Sequence, residues 1–286
     1  MLMLPEWSVS TLDTVHCLSA ERLVTALPND YIDLIVASPP YDNLRTYNGF
    51  HWNFEFIAQQ SYRVLKPGGV LVWIVGDATI NGSETLTSFK QALYFKEVCG
   101  FNVWDTMIYQ KGGCRPQRPQ LRYNQSIEYM FILTKGSPKT SNFLVEKTKK
   151  QTKSLSTKRQ RNGTMCIKIY HPQETHVLSN VWKLDTGNNL VASDRLAYEH
   201  PAIFPETLAE RHIQTWSNPD NIVLDYFMGS GTTGKMATKL GRHYIGCDIS
   251  HEYVELARRR IANADPFQPV EHEAGITQLS LFAEAE

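Results

Sequence analysis

The sequence predicts an α/β protein: a doubly wound sheet with helices on both faces. Strand-like and helix-like segments alternate as far as residue 134 and again from 205 to 262, the rhythm of strand–helix–strand units. An apolar run at 31–37 stops at Ser38-Pro39-Pro40-Tyr41, and a second at 221–225 leads into a glycine-rich loop. In an open α/β sheet, the carboxyl ends of strands are where ligands sit.

The elements follow from local pattern. Segments 8–17, 31–37, 69–76, 101–110 and 127–134 are rich in β-branched and aromatic residues and read as strands. Amphipathic stretches at 20–27, 53–65 and 84–98 read as helices, the second stopped by Lys66-Pro67-Gly68-Gly69. Beyond residue 200 come a helix at 205–214, a strand at 221–225, a helix at 232–240, a strand at 243–248 and a helix at 251–262. The expected organisation is one half-domain over 8–110, an insertion over 111–195 whose strand 127–134 returns to the sheet, a second half-domain over 196–264, and a flexible tail over 265–286.

Composition narrows the class. At 286 residues and 42% hydrophobic, the chain suits one large domain, or one domain with a sizeable insertion. No apolar run reaches the ~18 residues of a membrane span, and the start MLMLPEWS lacks a signal-peptide pattern. Five cysteines stand singly, without a Cys-x-x-Cys pair. That argues against a zinc module or disulfide scaffold and fits a reducing cytosol.

Net charge is zero, yet positive charge is concentrated. Between 135 and 168 lie Lys135, Lys139, Lys147, Lys149, Lys150, Lys153, Lys158, Arg159, Arg161 and Lys168, opposed only by Glu146. Arg115, Arg118 and Arg122 precede them in a Pro/Gln-rich stretch. Such a run is either a solvated surface insertion or the electrostatic footprint of a phosphate backbone. Its concentration in a neutral protein favours the second.

Two motifs carry chemistry. Pro39 and Pro40 lack N–H groups and fix φ, so the chain leaves the sheet there as a stiff turn. In VLDYFMGSGTTG (223–234), Gly229, Gly231 and Gly234 form Gly-x-Gly-x-x-Gly between a strand and a helix, with Asp248 ending the next strand. Glycines let the backbone turn tightly against a ligand, and a carboxylate one strand over accepts from ribose hydroxyls. Asp225 at the strand end and polar Ser230, Thr232 and Thr233 suit a charged amino-acid moiety as well as a pyrophosphate.

SPPY early, DYFMGSGTTG late, a basic insertion between them, and HPAIFPETLAERHI (200–213) just before the glycine loop resemble the S-adenosylmethionine-dependent amino-DNA methyltransferases. The likeness is to the permuted group, in which the catalytic tetrad precedes the cofactor loop. It covers about 10–135 and 178–262. It implies a Rossmann-like methyltransferase mixed sheet of about seven strands, a target-recognition insertion, double-stranded DNA as partner and S-adenosylmethionine as cofactor. By the same resemblance, Asp225, Phe227, Gly229, Ser230, Gly231 and Thr232 face the cofactor and Asp248 its ribose. His200, Pro201, Phe204, Pro205 and Thr207 then flank its methionine end. One position departs from the family pattern: Ser19 stands where an aspartate is usual in the first strand–helix turn.

The tetrad Ser38, Pro39, Pro40 and Tyr41 is the implied catalytic group. An exocyclic base amine is a poor nucleophile because its lone pair is conjugated into the ring. Ser38 Oγ and the Pro39 carbonyl can hold its N–H groups and aim that lone pair, while Tyr41 offers a stacking face. The target base must first leave the duplex. In the family, serine at the first tetrad position goes mostly with N4-cytosine and aspartate with N6-adenine, so cytosine is the expected target and adenine the alternative. A methyltransferase acting on RNA or protein glutamine, and a non-catalytic DNA-binding protein on the same fold, are further alternatives. The chemistry requires no metal.

Trp73, Trp104 and Tyr109 lie in strand patterns and are expected in the core. Asp77 sits at a strand end near the expected cleft. His16, His51, His176 and His243 have no partner at catalytic spacing. Gln278, Leu279, Leu281 and Phe282, within the terminal QLSLF, resemble the peptide by which bacterial proteins dock on the replicative sliding clamp. The competing reading is a tail folded back on its own domain. The chain is compatible with a monomer or a homodimer.

Overall fold

The computed structural model describes residues 12–40, 52–113, 122–148, 154–170, 173–185, 191–264 and 276–280. The chain divides into two compact units, one from Met1–Ser141 and Asn180–Gln268, the other from Asn142–Ser179 and Pro269–Glu286.

The first unit contains strands β1 (Thr14–Cys17), β2 (Ile32–Ala37), β3 (Leu65–Val75), a small pair β4 (Thr79–Ile80) and β5 (Ser83–Glu84), β6 (Asn102–Lys111) and β7 (Ile127–Thr134). Its later strands are β12 (Val181–Leu184), β13 (Ile222–Asp225) and β14 (His243–Asp248). The helices are α1 (Ala20–Ala26), α2 (Phe54–Val64), α3 (Thr87–Glu97), α4 (Glu206–Trp216), α5 (Thr232–Lys239) and α6 (His251–Ala262). Side-chain caps start three of them: Ser19 accepts from the Arg22 amide, Asn53 from Phe56 and Ser250 from Tyr253.

Among the described residues, eight strands form the main sheet in the order β1-β14-β13-β2-β3-β7-β6-β12. Only β7 runs antiparallel to its neighbours. This is the mixed sheet expected, with one strand more, because Val181–Leu184 of the middle region pairs alongside β6. The pairing of β2 with β13 (Leu34 opposite Val223, Ile35 opposite Leu224) makes the two motif-bearing strands neighbours. From β2 the sheet grows toward β3, and from β13 toward β14, so the two motifs flank a topological switch point.

Both faces of the sheet are buried. Ile35 and Ala37 of β2 join Leu71 and Trp73 of β3 in a cluster with Leu23, Ile57 and Phe95 from α1, α2 and α3. The alternate residues Leu34 and Val36 are equally buried and point the other way. There α4 packs on β2, α5 on α4 and α6 on α5.

Two expectations are corrected within this unit. Trp104 is 49% exposed rather than in the core; β6 bulges against β7 between Val103 and Asp105, which turns it outward. Lys135, counted with the basic run, instead ties the end of β7 to the start of β3 by pairing with Asp30 and donating to the carbonyls of Tyr62 and Leu65.

In the second unit, β8 (Asn142–Lys147) lies between β11 (Thr175–Val177) and β15 (Ile276–Ser280), antiparallel to both. A separate hairpin joins β9 (Ser154–Arg159) to β10 (Met165–Tyr170). The expected insertion, 111–195, is thus wider than the second unit. Residues on both sides of 142–179 belong to the first, because β7 and β12 pair into the main sheet. Part of the expected flexible tail is strand: Gln278 pairs opposite Leu144 and Leu279 opposite Phe143. Leu281 and Phe282 lie outside the described residues. Among the described residues, no helix is long and apolar enough to cross a membrane.

Candidate active site

The carboxyl ends of the parallel strands open into one cavity of about 850 Å³, the size of a cofactor or nucleotide site. From β2 it receives Ser38, Pro39 and Pro40; from the turn after β13, Phe227, Gly229, Ser230 and Thr232; from the end of β14, Asp248. His200, Pro201 and Phe204 form a further wall. These are the motif residues singled out in the sequence, brought together from opposite ends of the chain. Tyr41 lies outside the described residues.

Four expected cofactor residues sit behind this lining rather than in it. Asp225 is fully buried; its Oδ1 accepts the Phe227 amide at 2.9 Å and its Oδ2 the Thr233 hydroxyl at 2.7 Å. The carboxylate thereby ties both ends of the glycine loop to the end of β13. Burial, reinforced by nearby Asp248, pushes its pKa up to about 7 against the two hydrogen bonds. Gly231 packs against α6: it has φ +81°, and a Cβ there would lie 2.8 Å from Ala257. Pro205 precedes α4 as its cap residue, and Thr207 sits in its first turn.

Asp248 bridges the loop and the next strand. Its Oδ2 accepts the Gly229 amide at 3.1 Å and its Oδ1 the Ser250 amide at 2.9 Å. Burial raises its pKa, opposed by these amides. Each oxygen keeps lone-pair capacity for hydroxyl donors from the cavity. Gly229, with φ +50°, abuts the His200 ring, where a Cβ would come within 3.1 Å. His200 in turn meets Tyr253 edge-on, with 4.3 Å between centroids.

At the proline turn, the Pro40 carbonyl accepts the Trp52 indole N–H at 3.1 Å. Trp52 lines the cavity and packs against Phe227. Asp77, after β3, also lines it while accepting the backbone amide and hydroxyl of Ser88. Tyr109, expected in the core, is buried and also forms part of the cavity wall. Beside it, Lys111 and Glu128 make an ion pair at 2.5 Å across β6 and β7. Sequence reasoning missed this pair; its signal was a charge at the end of each of two apolar strands.

A buried charge cluster behind the glycine loop was also missed. Arg260 of α6 is 1% exposed and pairs with Asp194 and Glu206. Lys235 of α5 pairs with the same two carboxylates, both at 2.7 Å. Burial alone would raise the Asp194 pKa, but hydrogen bonds and charge from Arg260 and Lys235 bring it down to about 2. Arg260 also donates to the Ser230 carbonyl at 2.6 Å, the Ser230 hydroxyl at 3.0 Å and the Thr232 hydroxyl at 3.3 Å. Asp194 and Glu206 bracket the wall that carries His200 and Phe204. The cluster therefore fastens that wall and the loop to the same two helices.

Of the expected DNA-contacting cations, Lys158, Arg159 and Arg161 are exposed on the β9–β10 hairpin. Arg122 is exposed and donates to the Gly82 carbonyl. Arg115, Arg118, Lys149, Lys150 and Lys153 lie outside the described residues. His176 and His243 make surface pairs with Glu146 and Asp13.

A rigid proline turn beside a glycine loop, with an acid one strand over, defines a Rossmann-like methyltransferase fold and site. Residues 32–259 match the DNA methylase model for N6/N4 methyltransferases, and the chain belongs to this family of amino-DNA methyltransferases. It is 51% identical over 239 residues to the orphan methyltransferase M.BamHII of Bacillus amyloliquefaciens, covering 81% of this chain and 89% of that one. It is 30% identical over 261 residues to the DNA adenine methyltransferase YhdJ of Escherichia coli K12, covering 86% and 81%. Among solved structures, the cytosine-N4-specific PvuII DNA methyltransferase superposes with TM-score 0.63 at 18% identity, covering 86% and 85%. TTHA0409 of Thermus thermophilus, in complex with S-adenosyl-L-methionine, gives 0.58 at 22% identity, covering 88% and 94%.

Proposed function

We propose that this DNA methyltransferase transfers the methyl group of S-adenosylmethionine to the exocyclic N4 of a cytosine flipped out of duplex DNA. The observation that carries the proposal is the adjacency of β2 and β13, which opens the Ser38-Pro39-Pro40 turn and the glycine loop into one cavity. The donor set suits the cofactor: Asp248 offers carboxylate oxygens to ribose hydroxyls, and Phe227 adds an apolar wall. When bound, S-adenosylmethionine supplies an activated methyl group on a sulfonium.

The protein's own part is positioning. Ser38 Oγ and the Pro39 carbonyl accept from the amine, turning its lone pair out of conjugation. The proline ring fixes the direction of that carbonyl, and the Trp52 indole holds the next one in place. Tyr41 supplies the stacking face for the extruded base, worth about 1–3 kcal/mol. Lys158, Arg159 and Arg161, with Arg115, Arg118, Lys149, Lys150 and Lys153, supply positive charge for the phosphate backbone.

Ser38 favours cytosine, as does the cytosine-N4 specificity in the name of the PvuII enzyme; the name of YhdJ keeps N6-adenine as the second reading. Digesting methylated DNA to nucleosides and weighing them decides between the two. N4-methylcytosine is expected, and N6-methyladenine as sole product rejects the proposal. Docking on a sliding clamp through residues 278–282 requires β15 to leave β8. Deleting 278–286 tests it: loss of clamp co-elution with retained methylation supports docking, and loss of solubility supports a structural strand.

A further inference from the structure

The cavity has two sides. Phe227, Gly229 and Asp248, brought by β13 and β14, line the side that suits the cofactor. Beyond the proline turn the main sheet continues through β3, β7 and β6. The wall there carries Gly76, Tyr109, Lys111 and Glu128.

Strand register sets these groups in one row. Val36 pairs with Val72, so two residues further on Ser38 falls level with Ile74. Ile74 pairs with Met130, which puts Gly76 level with Glu128, and Glu128 pairs with Tyr109. Because successive residues alternate, Ser38, Gly76, Glu128, Tyr109 and Lys111 share one face of the sheet. Gly76 has no side chain to add to that row. Neighbouring strands lie about 4.8 Å apart, so the strands of Ser38 and Glu128 are roughly 10 Å apart. The floor between them is bare backbone, a seat for a planar ring with one end at Ser38 and the other at the Lys111–Glu128 pair.

That pair is fixed in position. The Lys111 amide donates to the Ser126 carbonyl at 2.7 Å, and Leu184 of β12 pairs alongside. The Glu128 side chain is 14% exposed and that of Lys111 32%. So sheltered an ion pair is a weak source of stability. It is well suited to presenting a cation, because an ammonium has three donors and the bond to Glu128 takes one.

We propose that Lys111, oriented by Glu128, donates a hydrogen bond to the 2-oxo group of the flipped cytosine and so selects cytosine over adenine. The proposal rests on cytosine being the methylated base. Both bases offer the tetrad an amine beside a ring nitrogen. Past that nitrogen cytosine carries a carbonyl, whereas adenine carries C–H and leaves the ammonium without an acceptor. A polar site rejects a ligand that lacks its partner group far better than an apolar one does.

The test compares single-turnover methylation of two duplexes by the full chain. One holds the target cytosine; the other holds a 2-aminopyridine C-nucleoside, which keeps the amine and ring nitrogen but has C–H in place of the carbonyl. The unmodified protein should favour cytosine, and Lys111→Met should narrow that ratio by about tenfold or more, with cofactor affinity unchanged. The intrinsic reactivity of each amine cancels in the comparison. Lys111→Met/Glu128→Leu, which removes both charges, gives the same reading should the single variant misfold. Glu128→Gln, which keeps an acceptor for Lys111, should restore most of the ratio that Glu128→Leu loses. An unchanged ratio in both Lys111 variants overturns the proposal, and so does an equal loss on both duplexes, the mark of a phosphate contact. N6-methyladenine as the product of the unmodified protein overturns the cytosine reading itself, by a separate measurement.

Discussion

The indole of Trp52 meets the Phe227 ring edge-on, 5.0 Å between centroids and 70° between planes. Its N–H meanwhile donates to the Pro40 carbonyl. One side chain thus touches both the proline turn and the glycine loop, so the spacing between base site and cofactor site is held by packing as well as by strand pairing.

Replacing Trp52 by phenylalanine keeps an aromatic contact with Phe227 and removes the hydrogen bond to Pro40. Such a bond contributes about 1 kcal/mol, so methyl transfer should fall about fivefold with cofactor affinity nearly unchanged. Single-turnover rates beside calorimetric titration with S-adenosylmethionine check this. A selective loss of cofactor affinity would place Trp52 in the cofactor pocket instead.

Ser38→Ala removes one acceptor aimed at the base amine. Turnover should drop about tenfold or more, while cofactor binding holds. Unchanged turnover takes Ser38 out of the mechanism.

Arg260→Lys keeps a positive charge beside Asp194 and Glu206 but loses the fork that also grips Ser230 and Thr232. Cofactor affinity should weaken about tenfold, roughly one charge-assisted hydrogen bond, without loss of DNA affinity. Arg260→Met leaves buried Glu206 and part-buried Asp194 with Lys235 alone, and stability should fall by about 3 kcal/mol. An unaltered cofactor affinity in Arg260→Lys would separate the charge cluster from the site.

His212 of α4 is fully buried, its ring tilted against Trp182 with 4.6 Å between centroids, and its Nε2 lies 3.3 Å from the Met130 sulfur. Its Nδ1 has no hydrogen-bond partner among the described residues. Burial, with Arg211 nearby, lowers its pKa to about 3 from the usual 6.5. The unfolded chain therefore binds a proton that the native state refuses. The stability that depends on neutral His212 is intact above pH 6.5 and is lost as pH falls toward 3. Between pH 6 and 4, the parent should lose about 1.4 kcal/mol per pH unit more than His212→Phe. Urea titrations across that range measure the difference in slope, and parallel curves would show that His212 accepts a proton in place.

The sheet and the two motifs were legible because each rests on local pattern. The buried runs of β2, β3 and β7, the prolines after Ala37 and the glycines after Tyr226 all signal within a few residues. The middle of the chain was not legible. Strands β8 to β12 are short, several are polar, and β12 sits at a sheet edge with Val181 exposed, so neither periodicity nor apolar length betrays them. The Arg260 cluster was hidden for another reason. Asp194, Glu206, Lys235 and Arg260 are ordinary charges in sequence, and only the packing of α4, α5 and α6 makes them a unit. Asp225 was legible as important but not in its manner, since a carboxylate at a strand end reads the same whether it faces ligand or loop.

The order of strands also governs how the molecule is made. β1 and β2 are neighbours in sequence, yet two strands stand between them in the sheet, and those two, β13 and β14, are made after the other described strands of that sheet. The second unit repeats the arrangement, since β8 waits for β15. A nascent chain of this protein carries a gap between β1 and β2 until β13 and β14 have been made. Contacts of such long range form slowly and leave strand edges open meanwhile. The strand that brings the glycine loop is also the one that closes the gap, so completion of the fold and creation of the cofactor site are a single event.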